Sequence, residues 1–418
     1  MLFRSVVADG YDISAIGFAA PGMVRAFSIT DMSVVGPMIA ASLFGILIGA
    51  PVFGVVGDKF GRKAAIVSSC LLFGIFTWIT AWATSVQQVS ILRFLAGVGI
   101  GGLLPNVIAL MTELTPARYR AATIVLSFTG VALGGALPGV VAAALVPAQG
   151  WPIIFHVGGV FPVVVAILCI WMLPESVKFL ALKKDSRAAA VLAEMSGRPI
   201  DPASRFYFTD EAPGQKFSFG ELFRGDLATI TPLLWLLFVA NLMGYFFLLS
   251  WTPTVLQAAK IDPQKAALAG VLLQLGGVVA GLVMWWLRLL EKYGLMPVIA
   301  LFALAVPTVW GIGVAAGGQM EGAVFALQFL AGVCCLGIQF SINALSGIVY
   351  PTAARSMGSG MCLGVGRLGS IVGPIVGGAL IARQLAIGSL YGWAALPFAV
   401  GFVVAVILAR YYRKPGLA

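Results

Sequence analysis

The most informative segment of this 418-residue chain is Gly54-Val55-Val56-Gly57-Asp58-Lys59-Phe60-Gly61-Arg62-Lys63. It places one acidic and three basic side chains between two apolar runs, residues 33–56 and 64–83. Each run is close to the length of about 20 residues that a helix needs to cross the hydrocarbon core of a bilayer. The glycines allow two helix ends to approach each other closely. The segment is therefore predicted to be a charged turn between two membrane-spanning helices.

The composition of the chain also favours a membrane protein. Apolar residues make up 60% of it, charged residues only 10%, and the mean hydropathy is +1.01, whereas soluble domains carry about 25% charged residues. Long apolar runs favour helices over a membrane β-barrel, whose strands show only short alternating patterns. We predict an all-α integral membrane protein with twelve transmembrane helices. Their expected ranges are residues 3–24, 33–56, 64–83, 88–112, 121–145, 152–173, 229–251, 266–289, 295–316, 322–346, 357–381 and 390–411.

A polar stretch divides these helices into two sets of six. We predict an N-terminal six-helix bundle over residues 1–173, a cytoplasmic central loop over 174–228 and a C-terminal six-helix bundle over 229–418. The two sets resemble each other, because the sequence at 93–98, RFLAGV, is echoed by QFLAGV at 328–333. Parallel repeats of this kind are typical of transporters that bind their substrate between two halves and rock one half against the other.

The distribution of basic residues indicates the orientation in the membrane. Of the 26 lysines and arginines, 20 fall on the face that carries both termini and the central loop, and four fall on the opposite face. Cytoplasmic loops are the ones enriched in basic residues. We therefore expect both termini and the central loop on the cytoplasmic side of a bacterial inner membrane. The net charge of +10 then requires no nucleic-acid partner.

The chain carries few residues suited to catalysis or to metal binding. Its five cysteines all fall in apolar runs without a CxxC spacing, and His156 is the only histidine. Neither an HExxH nor a GxSxG motif occurs in the sequence. We therefore expect no metal site, no cofactor and no enzymatic activity.

Several motifs resemble one family of transporters. The segment at 54–63 matches the signature between the second and third helices of the major facilitator superfamily. Asp9-Gly10-Tyr11-Asp12 in the first helix and Gly364-Val365-Gly366-Arg367 in the eleventh narrow the resemblance to the aromatic acid:proton symporters. The resemblance covers nearly all of the chain. It implies uptake of benzoate-like or hydroxybenzoate-like acids, or of ring-cleavage products, together with protons.

Two aspartates of the first helix are candidates for proton coupling. Asp9 and Asp12 lie three residues apart and so on one face of the helix. A carboxylate inside a membrane span is costly, which makes a functional role the first hypothesis. We expect both to take part, with one proton per substrate and Asp12 as the carrier. The alternative for Asp9 is that it caps the helix at the cytoplasmic surface, since only eight residues precede it.

Two arginines inside the predicted helices are candidates for binding the substrate. A guanidinium group forms a planar fork that suits a carboxylate, and we expect Arg93 and Arg367 to use it in this way. The alternative for both is snorkelling to the membrane interface. The polar or aromatic side chains expected to line the pocket for the substrate ring are Tyr245, Gln274, Gln339, Asn343 and Asn106.

Charged residues at the cytoplasmic ends of helices are expected to gate the pathway. They are Asp58, Arg62, Glu113, Arg118, Glu291 and Arg355, and Glu291-Lys292 stands where the family usually has Asp-Arg. The resulting prediction is a monomeric, proton-coupled importer of small organic anions that works by alternating access. Its rivals are the same fold carrying a sugar, a dicarboxylate or an exported drug, and a membrane sensor that binds aromatic acids without moving them.

Overall fold

The structure is a computed structural model that describes residues 1–115, 120–183, 185–196, 200–201, 219–287, 293–350 and 355–412. Short helices at Val177–Leu182 and Arg187–Ser196 follow the sixth long helix. Within the described ranges the twelve long helices are α1 (Leu2–Ala26), α2 (Val35–Phe60), α3 (Arg62–Thr80), α4 (Val86–Leu114), α5 (Arg120–Gln149), α6 (Pro152–Met172), α7 (Leu227–Ala258), α8 (Pro263–Leu287), α9 (Met296–Gly317), α10 (Glu321–Val349), α11 (Arg355–Ala382) and α12 (Ile387–Tyr412).

All twelve predicted helices are confirmed, most of them to within four residues at each end. The largest difference is at α7, which was expected to end at Trp251 and continues to Ala258 through Pro253. A proline is tolerated inside a membrane helix when neighbouring helices satisfy the freed backbone groups. The predicted charged turn is confirmed as well, because Gly61 separates α2 from α3 with a φ of +104°, which suits glycine.

The first helix differs from the others in composition. Eleven of the described helices are long and apolar enough to cross a membrane, and α1 is not among them. Asp9 and Asp12 make α1 more polar than its neighbours, yet 17 of its 25 residues are buried. Neighbouring helices therefore enclose the carboxylates of α1 and keep them away from lipid.

The predicted repeat appears in how helices pack. In the N-terminal half Gly97 of α4 lies against Ser42 of α2, and a Cβ atom there would be 2.0 Å from the Ser42 carbonyl oxygen. In the C-terminal half Gly332 of α10 lies against Leu273 of α8, where the same distance would be 1.8 Å. Only glycine allows backbones to approach so closely. The two halves are therefore built on the same helix contacts.

The backbones of the two halves approach each other closely at one end of the molecule. We call the face that carries Leu2 and the connection between α6 and α7 the inner face, and the opposite face the outer face. Gly36 of α2 lies against Pro374 of α11, and Gly17 of α1 lies against Leu249 of α7. At either glycine a Cβ atom would be 2.7 Å from the facing carbonyl oxygen. All four residues lie in the outer parts of their helices, so the halves are closed against each other at the outer face.

Candidate functional site

A buried ion pair joins Asp12 of α1 to Arg93 of α4 inside the N-terminal half. Nη2 of Arg93 donates to Oδ2 of Asp12 at 2.5 Å, and Nη1 donates to Oδ1 at 3.0 Å. The hydroxyl of Thr77 in α3 donates to Oδ1 of Asp12 at 2.5 Å and accepts from Nη1 of Arg93 at 2.9 Å. Both charged side chains are 0% exposed. The two charges therefore neutralise each other in a bidentate contact.

The surroundings of this pair hold the arginine in place. The guanidinium carbon of Arg93 lies 5.6 Å from the centre of the Phe155 ring in α6, at cation–π distance. The hydroxyl of Tyr11 donates to the carbonyl of Ile154 at 2.9 Å and ties α1 to the same part of α6. Because Arg93 is fully buried, the snorkelling alternative is wrong for it. In this conformation both of its terminal nitrogens already bind Asp12.

Asp9 has different surroundings, although it lies less than one turn from Asp12. Its side chain is 3% exposed, and its Oδ1 has no hydrogen-bond partner among the described residues. Arg367 of α11, in the other half, lies within Coulomb range of Asp9, without an ion pair between the two among the described residues. Met1 caps α1, so Asp9 lies in the helix interior and the capping alternative is wrong. A carboxyl group and a guanidinium group thus lie within electrostatic range across the boundary between the halves.

Arg367 is the second member of this pair and is half-buried. Among the described residues its guanidinium group makes no hydrogen bond, in contrast to that of Arg93. The residue before it, Gly366, packs against Phe238 and Leu242 of α7. Arg367 is therefore held at this level of α7 with its donors free to bind an anion.

A chain of three amides lies at the same level of the C-terminal half. Nδ2 of Asn241 in α7 donates to Oε1 of Gln339 in α10 at 2.9 Å, and Nε2 of Gln339 donates to Oδ1 of Asn343 at 3.0 Å. The structure thus brings Gln339 and Asn343 together, as their spacing of four residues predicts. Sequence reasoning missed Asn241. Its signal was a lone amide four residues before Tyr245 in an otherwise apolar run.

Two further predicted pocket residues lie where the halves meet. The hydroxyl of Tyr245 in α7 donates to Oε1 of Gln274 in α8 at 2.8 Å. Nε2 of Gln274 in turn donates to the hydroxyl of Ser14 in α1 at 3.3 Å, across the boundary between the halves. Gly135 of α5 leaves room for this amide, since a Cβ atom there would be 1.8 Å from Nε2. Tyr245 and Gln274 therefore belong to the contact between the halves in this conformation.

The sequence placed Asn106 in the ring pocket, and the structure corrects this. Asn106 lies 13 residues after Arg93, about 20 Å along α4 toward the inner face. Its Nδ2 donates to the carbonyl of Phe53 at 3.1 Å, and its Oδ1 accepts from Nη1 of Arg62 at 3.2 Å. Nη2 of Arg62 forms an ion pair with Asp58 at 2.7 Å. Asn106 therefore binds the charged turn, because its position along α4 brings its side chain to Arg62.

The segment after α6 is bound to the same charged turn. The carboxylate of Glu175 accepts from the backbone amides of Lys63 at 3.1 Å and of Ser176 at 2.8 Å. The hydroxyl of Ser176 donates to the carboxylate of Glu113 at the end of α4. These contacts join α3, α4 and α6 of the N-terminal half at the inner face.

Of the remaining residues predicted to gate the pathway, the structure describes some and leaves others outside its described ranges. Asp58 is 68% exposed and is paired with Arg62 on its own half. Arg118 and Glu291 lie outside the described residues, and Arg355 begins α11 with a side chain that also lies outside them. In this conformation, then, Asp58 stands open to solvent at the inner face.

Comparison with known proteins identifies the family. The sequence profile of the Major Facilitator Superfamily matches residues 2–310. The chain belongs to the major facilitator superfamily. The superfamily predicted from the charged turn is confirmed, and this member is a multi-pass membrane protein with the twelve-helix fold.

Three similar proteins are named as transporters of aromatic acids. The 4-hydroxybenzoate transporter PcaK of Pseudomonas aeruginosa is 34% identical over 385 residues, which cover 91% of this chain and 85% of the relative. The PcaK protein of Acinetobacter baylyi is 32% identical over 96% of this chain and 88% of its own length. The gallate transporter of Pseudomonas putida is 31% identical over 95% of this chain and 88% of its own length. These relatives fall in the branch of the superfamily that the first-helix and eleventh-helix motifs resemble.

Solved structures of superfamily members share the fold. The xylose transporter XylE from E. coli, in a partially occluded inward open conformation, matches 99% of this chain and 97% of its own with a TM-score of 0.76 at 15% identity. A bacterial homologue of the human lysosomal transporter Spinster, inward-facing and unoccupied, matches 98% of this chain and 94% of its own with a TM-score of 0.68 at 18% identity. At such identities the likeness shows the fold alone.

Proposed function

We propose that this superfamily member imports small aromatic carboxylates, or related ring-cleavage acids, together with protons into a bacterial cell. It does so as a monomer, without enzymatic activity, from the inner membrane with both termini in the cytoplasm. The relatives support the substrate class, since the 4-hydroxybenzoate, gallate and benzoate transporters among them are 34%, 31% and 30% identical to it. The excess of basic residues on the inner face supports the orientation.

The observation that carries this proposal is the pair formed by Asp9 and Arg367. A guanidinium group with free donors is the strongest side-chain ligand for a carboxylate, and Arg367 offers such a group between the halves. Asp9 lies close enough to act on the same guanidinium. A substrate carboxylate and Asp9 therefore compete for one positive charge.

This competition provides the coupling. When the substrate anion binds Arg367, the ionised form of Asp9 loses the charge that stabilises it, and burial away from water favours the neutral form of a carboxyl group. Substrate binding and protonation of Asp9 thus favour each other, and the linkage is reciprocal. One anion and one proton then cross together, so the step moves no net charge.

Asp12 takes a different role from the one expected from sequence. Its carboxylate is held by both terminal nitrogens of Arg93 and by the hydroxyl of Thr77. These contacts keep the Asp12 carboxylate within one half, where it does not meet Arg367 or the substrate. We therefore assign the carrier role to Asp9, and the pair of Asp12 and Arg93 positions α1 against α3 and α4.

Alternating access follows from the contacts between the halves. The outer face is closed by backbone approaches at Gly17 and Gly36, while Asp58 of the charged turn is exposed at the inner face. This arrangement supports an inward-facing state. Closing the inner face would bring Asp58 toward the C-terminal half, where a charged or hydrogen-bonding partner can hold it.

The test is flux into sealed proteoliposomes that contain the purified protein. With an acidic exterior we expect radiolabelled 4-hydroxybenzoate to accumulate, to be displaced by benzoate derivatives and not by xylose, and to ignore a potassium-diffusion potential. Displacement by sugars alone would contradict the substrate class. Binding without flux would identify a sensor, and strong acceleration by an inside-negative potential would contradict the single coupled proton.

A further inference from the structure

Asn241 of α7 carries a buried acceptor that none of the described protein groups uses. Its side chain is 0% exposed, and its Oδ1 has no hydrogen-bond partner in the part of the chain that the structure describes. A buried acceptor without a hydrogen bond costs free energy, so such atoms are rare and call for an explanation. Asn241 lies at one end of the amide chain and at the level of Arg367, and this position offers an explanation.

Neighbouring groups fix the orientation of this amide. Nδ2 of Asn241 donates to the backbone carbonyl of Cys335 at 3.1 Å and to Oε1 of Gln339 at 2.9 Å. A carbonyl only accepts, so Asn241 has to present its nitrogen to Cys335. Turning the amide over would bring two oxygens together at that point. The oxygen of Asn241 is therefore the free end of the amide chain, and it needs a donor.

The free acceptor lies at the depth of the proposed anion site. Gly366, next to Arg367, packs against Phe238 and Leu242, which flank Asn241 along α7. The face of Asn241 on α7 continues to Tyr245 one turn further, because residues four apart share a helix face. An aromatic acid whose carboxylate binds Arg367 would therefore place its ring along this part of α7.

We infer that Asn241 is a specificity-determining residue whose Oδ1 accepts a hydrogen bond from a donor group on the substrate ring, such as a phenolic hydroxyl. This inference rests on the proposed transport of aromatic carboxylates and names the ring chemistry that the site selects. A site built to bond a hydroxyl rejects the analogue that lacks it, because the buried acceptor is then left unpaired. Unsubstituted benzoate is such an analogue.

Binding of matched acids to the purified wild-type protein provides the first test. The ligands are benzoate, the three monohydroxybenzoates and the three methoxybenzoates, each titrated by calorimetry. A methoxy group keeps the ring oxygen and removes the proton, so it separates donation from shape. We expect the best hydroxybenzoate to bind at least about tenfold more tightly than benzoate and than its own methoxy counterpart.

A variant and a matched control provide the second test. Asn241→Leu removes the acceptor and should reduce the preference for hydroxybenzoate over benzoate to within about threefold. Gln328→Leu removes another buried amide between α10 and α7, whose Oε1 also lacks a partner but which bonds Thr252 toward the outer face. This control should keep the wild-type preference.

The outcomes separate this inference from the proposed function. If wild type binds benzoate as tightly as every hydroxybenzoate, or if the preference survives Asn241→Leu, the inference is wrong while aromatic acids remain the substrates. If no aromatic acid binds at all, the proposed function itself is wrong. The wild-type comparison stands even where the variant fails to fold.

Discussion

The two carboxylates of α1 lie three residues apart and have opposite surroundings. Asp12 is bound by Arg93 and Thr77 within one half, while Asp9 lies across the boundary from Arg367 and its Oδ1 has no partner among the described residues. The first arrangement lies within one half and does not depend on how the halves are placed, although Nε of Arg93 has no hydrogen-bond partner among the described residues. In the proposed transport cycle, the second joins groups that move relative to each other. Charge pairs inside one half therefore hold the scaffold, and the pair between the halves is the one that can do coupling.

Breaking the internal pair should have the largest effect on stability. Removing one partner of a buried ion pair leaves an uncompensated charge and costs about 3–5 kcal/mol. We expect Arg93→Met to destabilise the detergent-solubilised protein by that amount in chemical unfolding. The double variant Arg93→Met with Asp12→Leu should recover most of the loss, because no lone charge remains. An equal loss in the single and double variants would contradict the pairing.

Breaking the pair between the halves should instead remove coupling. Asp9→Asn removes the proposed proton carrier and no described hydrogen bond of Oδ1, so we expect little change in unfolding. Accumulation of 4-hydroxybenzoate driven by a pH gradient should fall by about 100-fold, while exchange of internal for external substrate continues. If the Asp9→Asn variant loses as much free energy of unfolding as the Arg93→Met variant, the contrast between the two carboxylates is wrong.

The sequence alone predicted this contrast only in part. It identified twelve helices to within a few residues of most ends, because apolar runs of membrane length leave little choice of structure. It also singled out Asp9, Asp12 and Arg93, since charges inside membrane spans are rare. It could not assign partners, because a spacing of three residues puts both aspartates on one helix face, and small rotations decide which neighbour each one meets.

Depth and direction were the other quantities that sequence could not supply. Asn106 was expected in the ring pocket and lies in the charged turn, because α4 carries it about 20 Å below Arg93 toward the inner face. Asn241 was overlooked, since one amide in an apolar run gives no motif. Both placements follow from tertiary packing of helices whose residues look alike in sequence.

Opening the outer face should sharpen the comparison, because it separates the halves and leaves the internal pair unchanged. A large side chain at Gly36 has no room against Pro374. With Gly36→Trp we expect an impermeant maleimide to label Ser250→Cys, a buried outer position, at least about fivefold faster than in the Gly36 background.

Gly322→Trp at the outer end of α10 is the matched control, since a Cβ atom there meets nothing within 4 Å. The described native cysteines are all buried and should contribute little background. Unchanged labelling with Gly36→Trp would show that Gly36 does not hold the outer face closed.

The smallest expected effect on stability is that of Asp58, which is exposed and, among the described residues, is paired with Arg62 of its own turn. Exposed ion pairs contribute little, so Asp58→Asn should shift the melting temperature by less than about 3 °C. Its transport should nevertheless be lost, because we propose that the charge of Asp58 holds the inner face shut in the other conformation. Near-normal uptake at equal expression would contradict this gating role.

Proton uptake on substrate binding tests the central claim most directly. Purified protein in a weakly buffered solution with a pH indicator is mixed with 4-hydroxybenzoate, and protons taken up are counted per substrate bound. We predict close to one proton for wild type and for the neutralised pair Asp12→Asn with Arg93→Gln, and none for Asp9→Asn at saturating substrate. Proton uptake that persists in Asp9→Asn, or that disappears only in the neutralised pair, would contradict the assignment of Asp9 as the carrier.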